Sequence, residues 1–278
     1  MLREEEKQRY DRQMRIQGFG EEGQKKLKEA SVLVAGIGGL GTAISVYLGV
    51  AGVGRLRIVD GDVVELSNLN RQILHWTEDI GKEKARSAEE KLQKVNPHIQ
   101  IEATTEIITQ DNVLKLTEGC HLILDAMDNY QTRYLLNRAA LERGIPFIHG
   151  GVYGMEGVMT TIIPGQTACL RCIFPEPPPQ ATLPGPVLGA APGIIGCLQA
   201  LEAIKHITGI GRLLTDRLLI FDGIDLSFRE VKLERNPQCP DCSPLKPQKV
   251  KVYRESNPEQ GLAIRRNDQD NQKGCAGE

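Results

Sequence analysis

The sequence predicts an α/β fold in which a mostly parallel sheet carries helices on both faces. Short apolar runs alternate with longer amphipathic segments from residue 31 to about residue 150, which is typical of parallel strands joined by helical crossovers. A glycine-rich turn follows the first apolar run. From Val152 onward the pattern changes to strands and turns, so we expect antiparallel strands to continue the sheet.

The periodicity and the residues that end each run define the elements of the first half. Two charged helices are expected before the sheet, at residues 4–16 and 21–29. Apolar runs too short for helices predict buried strands at residues 31–36, 56–60, 99–105, 122–126 and 146–150. Helices are expected between them at residues 42–51, 81–95, 110–118 and 130–143.

The second half mixes strands with one long loop. Strands are expected at residues 157–163, 218–222 and 227–231, and a helix at residues 194–208. Residues 174–193 hold seven prolines, which predicts a crossing loop. We expect one domain over residues 1–252, with halves at about 1–150 and 151–252, followed by a polar, disordered tail at 253–278.

Composition excludes several classes of protein. A net charge of −2 lacks the basic excess of a nucleic-acid-binding protein. Seven cysteines among 278 residues are too sparse for a secreted disulfide framework. The charged N-terminus has no signal-peptide core, and the apolar runs are too short to span a bilayer. We expect a cytoplasmic protein with reduced thiols and with no nucleic-acid or membrane partner.

Two Cys-x-x-Cys pairs predict a metal site. Cys169 and Cys172 form the first pair, and Cys239 and Cys242 form the second. Four thiolates from distant segments make a closed tetrahedral zinc site with no position for a substrate. The alternative interpretations are a redox-active pair or a coincidence of spacing.

The glycine-rich turn predicts a Rossmann-like nucleotide site. It follows a strand and opens a helix, so its backbone can approach phosphates at the helix N-terminus. Asp60 ends the next strand and is placed to accept ribose hydroxyls. On these features alone an NAD site is the first interpretation. The glycines of the turn are Gly36, Gly38, Gly39 and Gly41.

The polar run from Asp60 to Gln72 favours a different nucleotide chemistry. Ser67, Asn68, Arg71 and Gln72 can face one polyphosphate, and Lys84 lies on the next helix. Adenylation needs such groups, because a carboxylate must attack an already anionic ATP. The alternative for Lys84 is a solvated helix face.

A carboxylate and an amide, Asp128 and Asn129, follow the strand at 122–126. Asp128-Asn129 lies at the C-terminal edge of the sheet, where ligands bind in such folds. Asp128 is therefore a candidate magnesium ligand. The alternative is that Asp128 caps the helix at 130–143.

Taken together, these motifs resemble the ThiF/MoeB/HesA family of ubiquitin-activating-enzyme-like adenylyltransferases. The resemblance extends from about Arg9 to Cys242, which is most of the chain. The matching motifs are Arg9-Tyr10-Asp11-Arg12-Gln13, Gly36 to Gly41, Asp60, Ser67 to Gln72, Lys84, Asp128 to Arg133 and both cysteine pairs.

The resemblance implies an enzyme that uses ATP to adenylate the C-terminal glycine of a small ubiquitin-like sulfur carrier, of the MoaD or ThiS type. Such a carrier ends in Gly-Gly and would bind the half at 151–252. By position, Asp60 would bind the ribose, Asp128 would hold magnesium, and Asn68, Arg71 and Lys84 would contact phosphates. The rest of the implied nucleotide set is Asp62, Ser67, Leu69, Asn70, Gln72 and Asn129.

The resemblance also implies a homodimer in which Arg12 enters the partner subunit's site as an arginine finger. Composition alone would favour Arg12 as a surface arginine of a charged helix. Relatives that bond covalently to the carrier have a cysteine in the crossing loop, and here residues 175–192 contain none. We therefore expect the reaction to stop at the acyl-adenylate, with sulfur supplied by a separate cysteine desulfurase or rhodanese. A rhodanese-like domain is not expected after Cys242.

Cys120 and Cys197 lie outside the two cysteine pairs. Cys197 near a helix start is either an activated thiol or, as the pattern favours, a small core residue, and Cys120 is expected in the core.

Two rival functions are an NAD-dependent oxidoreductase and a non-catalytic binder of a ubiquitin-like protein. The pathway served (molybdopterin, thiamine or tRNA thiolation) stays open.

Overall fold

The computed structural model describes residues 1–178 and 185–243, and in these residues one eight-stranded sheet forms the centre of the molecule. The strands are β1 Ser31–Ala35, β2 Arg55–Val59, β3 Gln100–Thr104, β4 Leu122–Asp125, β5 Phe147–Tyr153, β6 Glu156–Ile162, β7 Arg217–Asp222 and β8 Ser227–Lys232. Their order is β3-β2-β1-β4-β5-β6-β7-β8. Strands β1 to β5 pair in parallel, and β5 to β8 pair antiparallel, which confirms the predicted fold class.

Helices cover both faces of the sheet. They are α1 Glu4–Met14, α2 Gly20–Glu29, α3 Gly39–Ala51, α4 Lys84–Val95, α5 Val113–Leu116, α6 Tyr130–Arg143, α7 Leu170–Ile173 and α8 Ala190–Thr208. Every residue of β1 is buried, and its side chains alternate between two cores. Val32 and Val34 join the core with α2, α3, α4 and α8, whereas Leu33 and Ala35 join the core with α5, α6 and α7. No described helix combines the length and apolar character needed to cross a membrane.

Several helix boundaries differ from the predictions. α8 begins at Ala190 rather than at residue 194, because Pro192 in its first turn has no N–H group that needs a partner. α3 begins at Gly39 rather than at residue 42, so the last residues of the glycine turn form the first turn of the helix. α4 begins at Lys84 because Gly81 takes a left-handed backbone conformation (φ +88°). Residues 179–184 of the predicted loop and the predicted tail lie outside the described residues.

Helix α1 is attached to the sheet domain by buried polar contacts. The buried Glu6 carboxylate accepts hydrogen bonds from Lys28 Nζ (2.7 Å) and from the Arg3 backbone N–H (2.8 Å). Gln13 Nε2 donates to the carbonyl of Ala51 at the end of α3 (2.8 Å). These contacts fix the helix that carries Arg12.

The variant Glu6→Gln is expected to lower the free energy of unfolding by roughly 2 kcal/mol near neutral pH, because Lys28 loses its buried partner. Burial alone raises the pKa of Glu6, but the hydrogen bonds from Lys28 and Arg3 lower it to about 2 from an ordinary value of 4.5. A carboxylate with a lowered pKa stabilises the fold above its unfolded pKa and loses that effect as pH falls through its folded pKa.

Denaturant titrations of wild type and Glu6→Gln should therefore converge as pH falls from 4.5 to about 2. Glu4→Gln is the control, because the side chain of Glu4 is 79% exposed. A difference that stays constant across this range would contradict the ion-pair account of Glu6.

Candidate active site

The ends of three neighbouring strands bring the predicted nucleotide residues together. β1 lies between β2 and β4, and its last residue, Ala35, is paired with both Val59 and Asp125. The segments that follow these strands therefore start side by side at one edge of the sheet. They carry the glycine turn, the polar run from Asp60 and the Asp128-Asn129 pair.

Two glycines of the turn are required by close packing. A Cβ atom at Gly41 would lie 1.9 Å from the carbonyl oxygen of Gly36. Gly36 has a φ of +92°, and its Cβ would lie 2.7 Å from the carbonyl oxygen of Ala126. Only glycine fits both positions. The turn thereby brings the N-terminus of α3, with its free N–H groups, to the sheet edge, which is an arrangement suited to anions.

The backbone of Ile37, within the glycine turn, is held from two sides. The N–H of Ile37 donates to Asp60 Oδ2 (2.7 Å), and its carbonyl accepts from His75 Nε2 (3.0 Å). Burial lowers the pKa of His75, so the ring is neutral and its Nδ1 accepts from the Ser87 hydroxyl (2.9 Å). Sequence reasoning missed His75, because its partner Ile37 is far away in the chain.

Asp60 is oriented by backbone donors on both carboxylate oxygens. Besides Ile37, the N–H of Asp62 donates to its Oδ1 (2.9 Å). Burial raises the pKa of Asp60, and these two hydrogen bonds oppose that shift. The carboxylate is therefore held rigidly at the end of β2, where it retains free lone pairs for a ligand.

Lys84 is a buried cation at the site, so the interpretation as a solvated helix face is wrong. Its Nζ lies 2.8 Å from Asp62 Oδ2, and the two side chains are 8% and 72% exposed. The ammonium group is thus held by a carboxylate that faces solvent. A ligand anion can approach this pair from the solvent side.

The segment from Ser67 to Gln72 turns back toward the glycine turn through a short 3-10 helix, Leu66–Asn68. Arg71 donates to the carbonyl of Ser67 (2.9 Å) and to Asn70 Oδ1 (3.1 Å). Asn68 is buried and accepts from the Glu65 N–H (3.0 Å), so it shapes the loop. Gln72 is also buried, and its Oε1 has no hydrogen-bond partner among the described residues.

Asn129, rather than Asp128, caps helix α6. The Asn129 side chain accepts from the Thr132 N–H (2.9 Å), so the capping interpretation of Asp128 is wrong. Asp128 is exposed, and its only hydrogen bond among the described residues is a long one from Asn129 Nδ2 (3.4 Å). Its carboxylate oxygens are free to bind a cation, and magnesium prefers oxygen ligands of this kind.

The four paired cysteines meet in one cluster, with all sulfur atoms within 4.8 Å of one another. Cys169 and Cys239 are 3.6 Å apart, and Cys172 and Cys242 are 3.5 Å apart, both measured between Sγ atoms. A tetrahedron with metal–sulfur distances of about 2.3 Å has edges of about 3.8 Å, so the cluster fits zinc. Burial raises the pKa of Cys242 to about 11, so a cation is needed to hold it as a thiolate.

Among residues 1–178 and 185–243, neither Arg12 nor Cys197 makes a hydrogen bond or ion pair with the predicted nucleotide residues. Arg12 is exposed on α1, and within residues 1–178 and 185–243 it makes no hydrogen bond or ion pair. Cys197 lies two turns into α8, and burial raises its pKa, so the activated-thiol interpretation is wrong. Cys120 is buried, as predicted.

Comparison with known proteins agrees with this geometry. The profile of the ThiF family matches residues 10–241. The chain is 43% identical over 247 residues to a sulfur carrier protein adenylyltransferase from Thermus thermophilus, covering 86% of this chain and 91% of that protein. It is 42% identical to a SAMP-activating enzyme E1 from Haloferax volcanii, covering 84% and 88%.

Solved structures agree on the fold. A crystal structure of E. coli MccB superposes with a TM-score of 0.77 at 23% identity, covering 87% of this chain and 74% of that one. The family match spans the glycine turn, the polar run, the Asp128 segment and all but the last of the four paired cysteines. The chain therefore belongs to the ThiF family.

Proposed function

We propose that the protein is an ATP-dependent adenylyltransferase that activates the C-terminal glycine carboxylate of a ubiquitin-like sulfur carrier of the MoaD or ThiS type. The observations that carry this proposal are two cationic side chains: Lys84, buried and paired with Asp62 just after Asp60, and Arg71, which lies against Gly39 at the N-terminus of α3. A dehydrogenase has no need of such cations beside its nucleotide, whereas two anions must meet during adenylation. The names of the Thermus and Haloferax relatives support the same activity.

In the proposed reaction the carrier carboxylate attacks the α-phosphorus of ATP. A bond forms between a carboxylate oxygen and the α-phosphorus, and the bond from the α-phosphorus to the oxygen that bridges to the β-phosphate breaks. Pyrophosphate leaves with the electron pair of that broken bond. Asp60 accepts hydrogen bonds from the ribose hydroxyls. The phosphates are stabilised by the N-terminus of α3, Asn68, Arg71 and Lys84. Asp128 would hold magnesium, which neutralises phosphate charge when bound.

The solvent-facing partner of Lys84 suits this reaction. Asp62 keeps the ammonium group at the site edge before ATP binds, and its own side chain is 72% exposed. An incoming phosphate can replace this carboxylate with little desolvation cost, because Asp62 is already in water. No protein nucleophile is needed, since positioning and electrostatics supply the rate.

The reaction is proposed to end at the acyl-adenylate, with a separate protein supplying sulfur. The segment 175–192 has no cysteine that could form a covalent link to the carrier. The cysteine cluster is a closed, structural zinc site in this proposal. Its four thiolates leave no coordination position for a substrate.

The half at 151–252 offers an apolar surface for a protein partner. Every residue of the edge strand β8 is exposed, and Phe228 is 53% exposed. Ile224 and Leu226, in the turn before it, are each 75% exposed. A surface of this kind at a sheet edge is typical of a docking site.

A homodimer with Arg12 acting in trans is the proposed assembly. Arg12 lies on the solvent side of α1, whereas Tyr10 on the other side is buried. α1 rests on the end of α3, where Tyr47 and Val50 are 50% and 42% exposed. An exposed arginine on a helix that packs against an end of α3 carrying exposed apolar side chains supports a second copy as the partner.

Substitution of Arg71 tests its proposed contact with the phosphates. Arg71→Ala should reduce carrier-dependent ATP–pyrophosphate exchange by a factor of a hundred or more, or about 3 kcal/mol, because one cationic contact to the transition state is lost. Arg86→Ala is the matched control, since Arg86 pairs with Glu89 on the exposed surface of α4. Exchange near the wild-type rate in Arg71→Ala would contradict the assigned role.

Metal analysis tests zinc in the cysteine cluster. Elemental analysis should find about one zinc ion per chain, and Cys172→Ser and Cys239→Ser should lower the melting temperature as they lose it. Cys197→Ser should keep both the zinc and the stability, because its sulfur lies outside the cluster. Protein that is fully folded after gentle purification without zinc would refute the site.

A mixing experiment tests whether Arg12 acts in the partner subunit's site. Arg12→Ala and Arg71→Ala chains are mixed and allowed to exchange subunits, and exchange activity is measured. If Arg12 acts across the interface, each mixed dimer regains one intact site. Random pairing of equal amounts makes about half the dimers mixed, so about a quarter of all sites should recover.

Arg15→Ala serves as the control for the mixing experiment, because Arg15 pairs with Asp11 on the same helix. When Arg15→Ala chains are mixed with Arg71→Ala chains, the activity should equal that of the sites on the Arg15→Ala chains alone. Subunit exchange should restore no further sites. An Arg12 mixture as inactive as its parents, despite proven subunit exchange, would rule out the trans arrangement.

A further inference from the structure

We propose that Arg133 and Asp125 are positioning residues that orient the Asp128 carboxylate toward its cation. This inference rests on the proposed function, because it takes Asp128 as the magnesium ligand. Neither residue faces solvent: Asp125 is fully buried and the side chain of Arg133 is 8% exposed. Their action on the metal is therefore indirect, through the backbone that carries Asp128.

Both polar groups of the Met127 peptide backbone are bound by this pair. The N–H of Met127 donates to Asp125 Oδ1 (3.0 Å), and its carbonyl accepts from Arg133 Nη2 (2.6 Å). Asp128 is the next residue, and Asn129 then caps α6. The short segment between β4 and α6 is thus fixed on both sides of Asp128.

The Asp128 side chain has no other means of orientation. It is exposed, and the single hydrogen bond that it receives among the described residues is long, at 3.4 Å from Asn129 Nδ2. The position from which it reaches a cation is therefore set by its own backbone. A shift of about 1 Å in such a ligand is enough to reduce catalysis strongly.

The Arg133 guanidinium is itself immobilised. It lies 4.9 Å from the ring centroid of Tyr130, and it donates a second hydrogen bond to the Gly150 carbonyl (3.3 Å). A Cβ atom at Gly151 would come within 3.5 Å of it. Tyr130 in turn packs edge-on against Phe174, with 5.6 Å between ring centroids. The planar group is held between an aromatic ring and the β5 backbone.

Charge balance explains why this position holds an arginine. His149 Nδ1 also lies 2.7 Å from Asp125 Oδ2, but burial lowers the pKa of His149, so its ring is neutral and donates a hydrogen bond. The buried negative charge of Asp125 is therefore balanced by Arg133, whose Nε is 3.6 Å from Oδ2. Removing Arg133 would leave that charge unpaired.

The test measures cation binding directly. Mn²⁺ replaces magnesium, and electron paramagnetic resonance reports free Mn²⁺ in the presence of an ATP analogue with a methylene bridge between its α- and β-phosphates. The variants are Arg133→Ala, Arg133→Lys, Asp128→Asn and Arg143→Ala. Arg143 is the matched control, because it binds the Leu114 carbonyl and Thr117 from the opposite end of the same helix.

Arg133→Ala should weaken Mn²⁺ binding about tenfold or more, as losses beyond the direct ligands of a metal typically do. Affinity for the analogue without metal should change little, and the apparent magnesium requirement of pyrophosphate exchange should rise in parallel. Arg133→Lys should recover part of the loss, because lysine restores the charge but not both contacts. It also keeps the test decisive if Arg133→Ala fails to fold.

Wild-type Mn²⁺ affinity in a folded Arg133→Ala or Arg133→Lys chain would overturn the positioning role, as would an equal loss in Arg143→Ala. Asp128→Asn separates this failure from failure of the proposed function. If Asp128→Asn binds Mn²⁺ as the wild type does, Asp128 is not the ligand, and the magnesium assignment falls together with the inference. Weak binding in Asp128→Asn alone would refute only the role of Arg133.

Discussion

The site depends on two carboxylates, the half-buried Asp60 and the fully buried Asp125, that accept hydrogen bonds from the backbone just beyond two parallel strands. Asp60 accepts from the N–H of Ile37 after β1, and Asp125 accepts from the N–H of Met127 after β4. In both places a buried side chain, His75 or Arg133, donates to the carbonyl of the same residue. Backbone groups at a sheet edge would otherwise turn to water, so these contacts decide where the glycine turn and Asp128 lie.

His75, Asp125 and Arg133, which set the backbone, are buried and have no proposed contact with the nucleotide. Arg71, Lys84 and Asp128 are the charged groups proposed to meet the nucleotide, and Asp60 has both roles. The cysteine cluster is connected to the same frame through α6. Asn137, on α6, receives the Leu170 N–H beside Cys169 (3.0 Å), and its Nδ2 donates to Asp241 beside Cys242 (3.3 Å). A zinc ion would therefore stabilise the helix whose first turns carry Asn129 and Arg133.

Sequence reasoning found the features that depend on local spacing and missed those that depend on distant pairing. The glycine turn, the polar run and the cysteine pairs each have a fixed spacing, and the structure brings each set together. His149 and Asp125 are 24 residues apart, and nothing near either one predicts the other. The available signal was a charged or imidazole side chain inside an apolar strand, where burial demands a partner. Asn129 as the helix cap was also missed, because Asp128 has the same capping chemistry one residue earlier.

Intact-mass measurement of the carrier tests the central claim most directly, namely that this sheet edge holds ATP for attack by a carboxylate. Carriers of the MoaD and ThiS types, each ending in Gly-Gly, are incubated separately with the protein, ATP and Mg²⁺. One of them should gain a single adenylyl group as pyrophosphate is released, and the same carrier without its last glycine should gain none. Folded, zinc-containing protein that adenylates neither carrier, and that instead quenches the fluorescence of a reduced nicotinamide cofactor on binding it, would contradict the account.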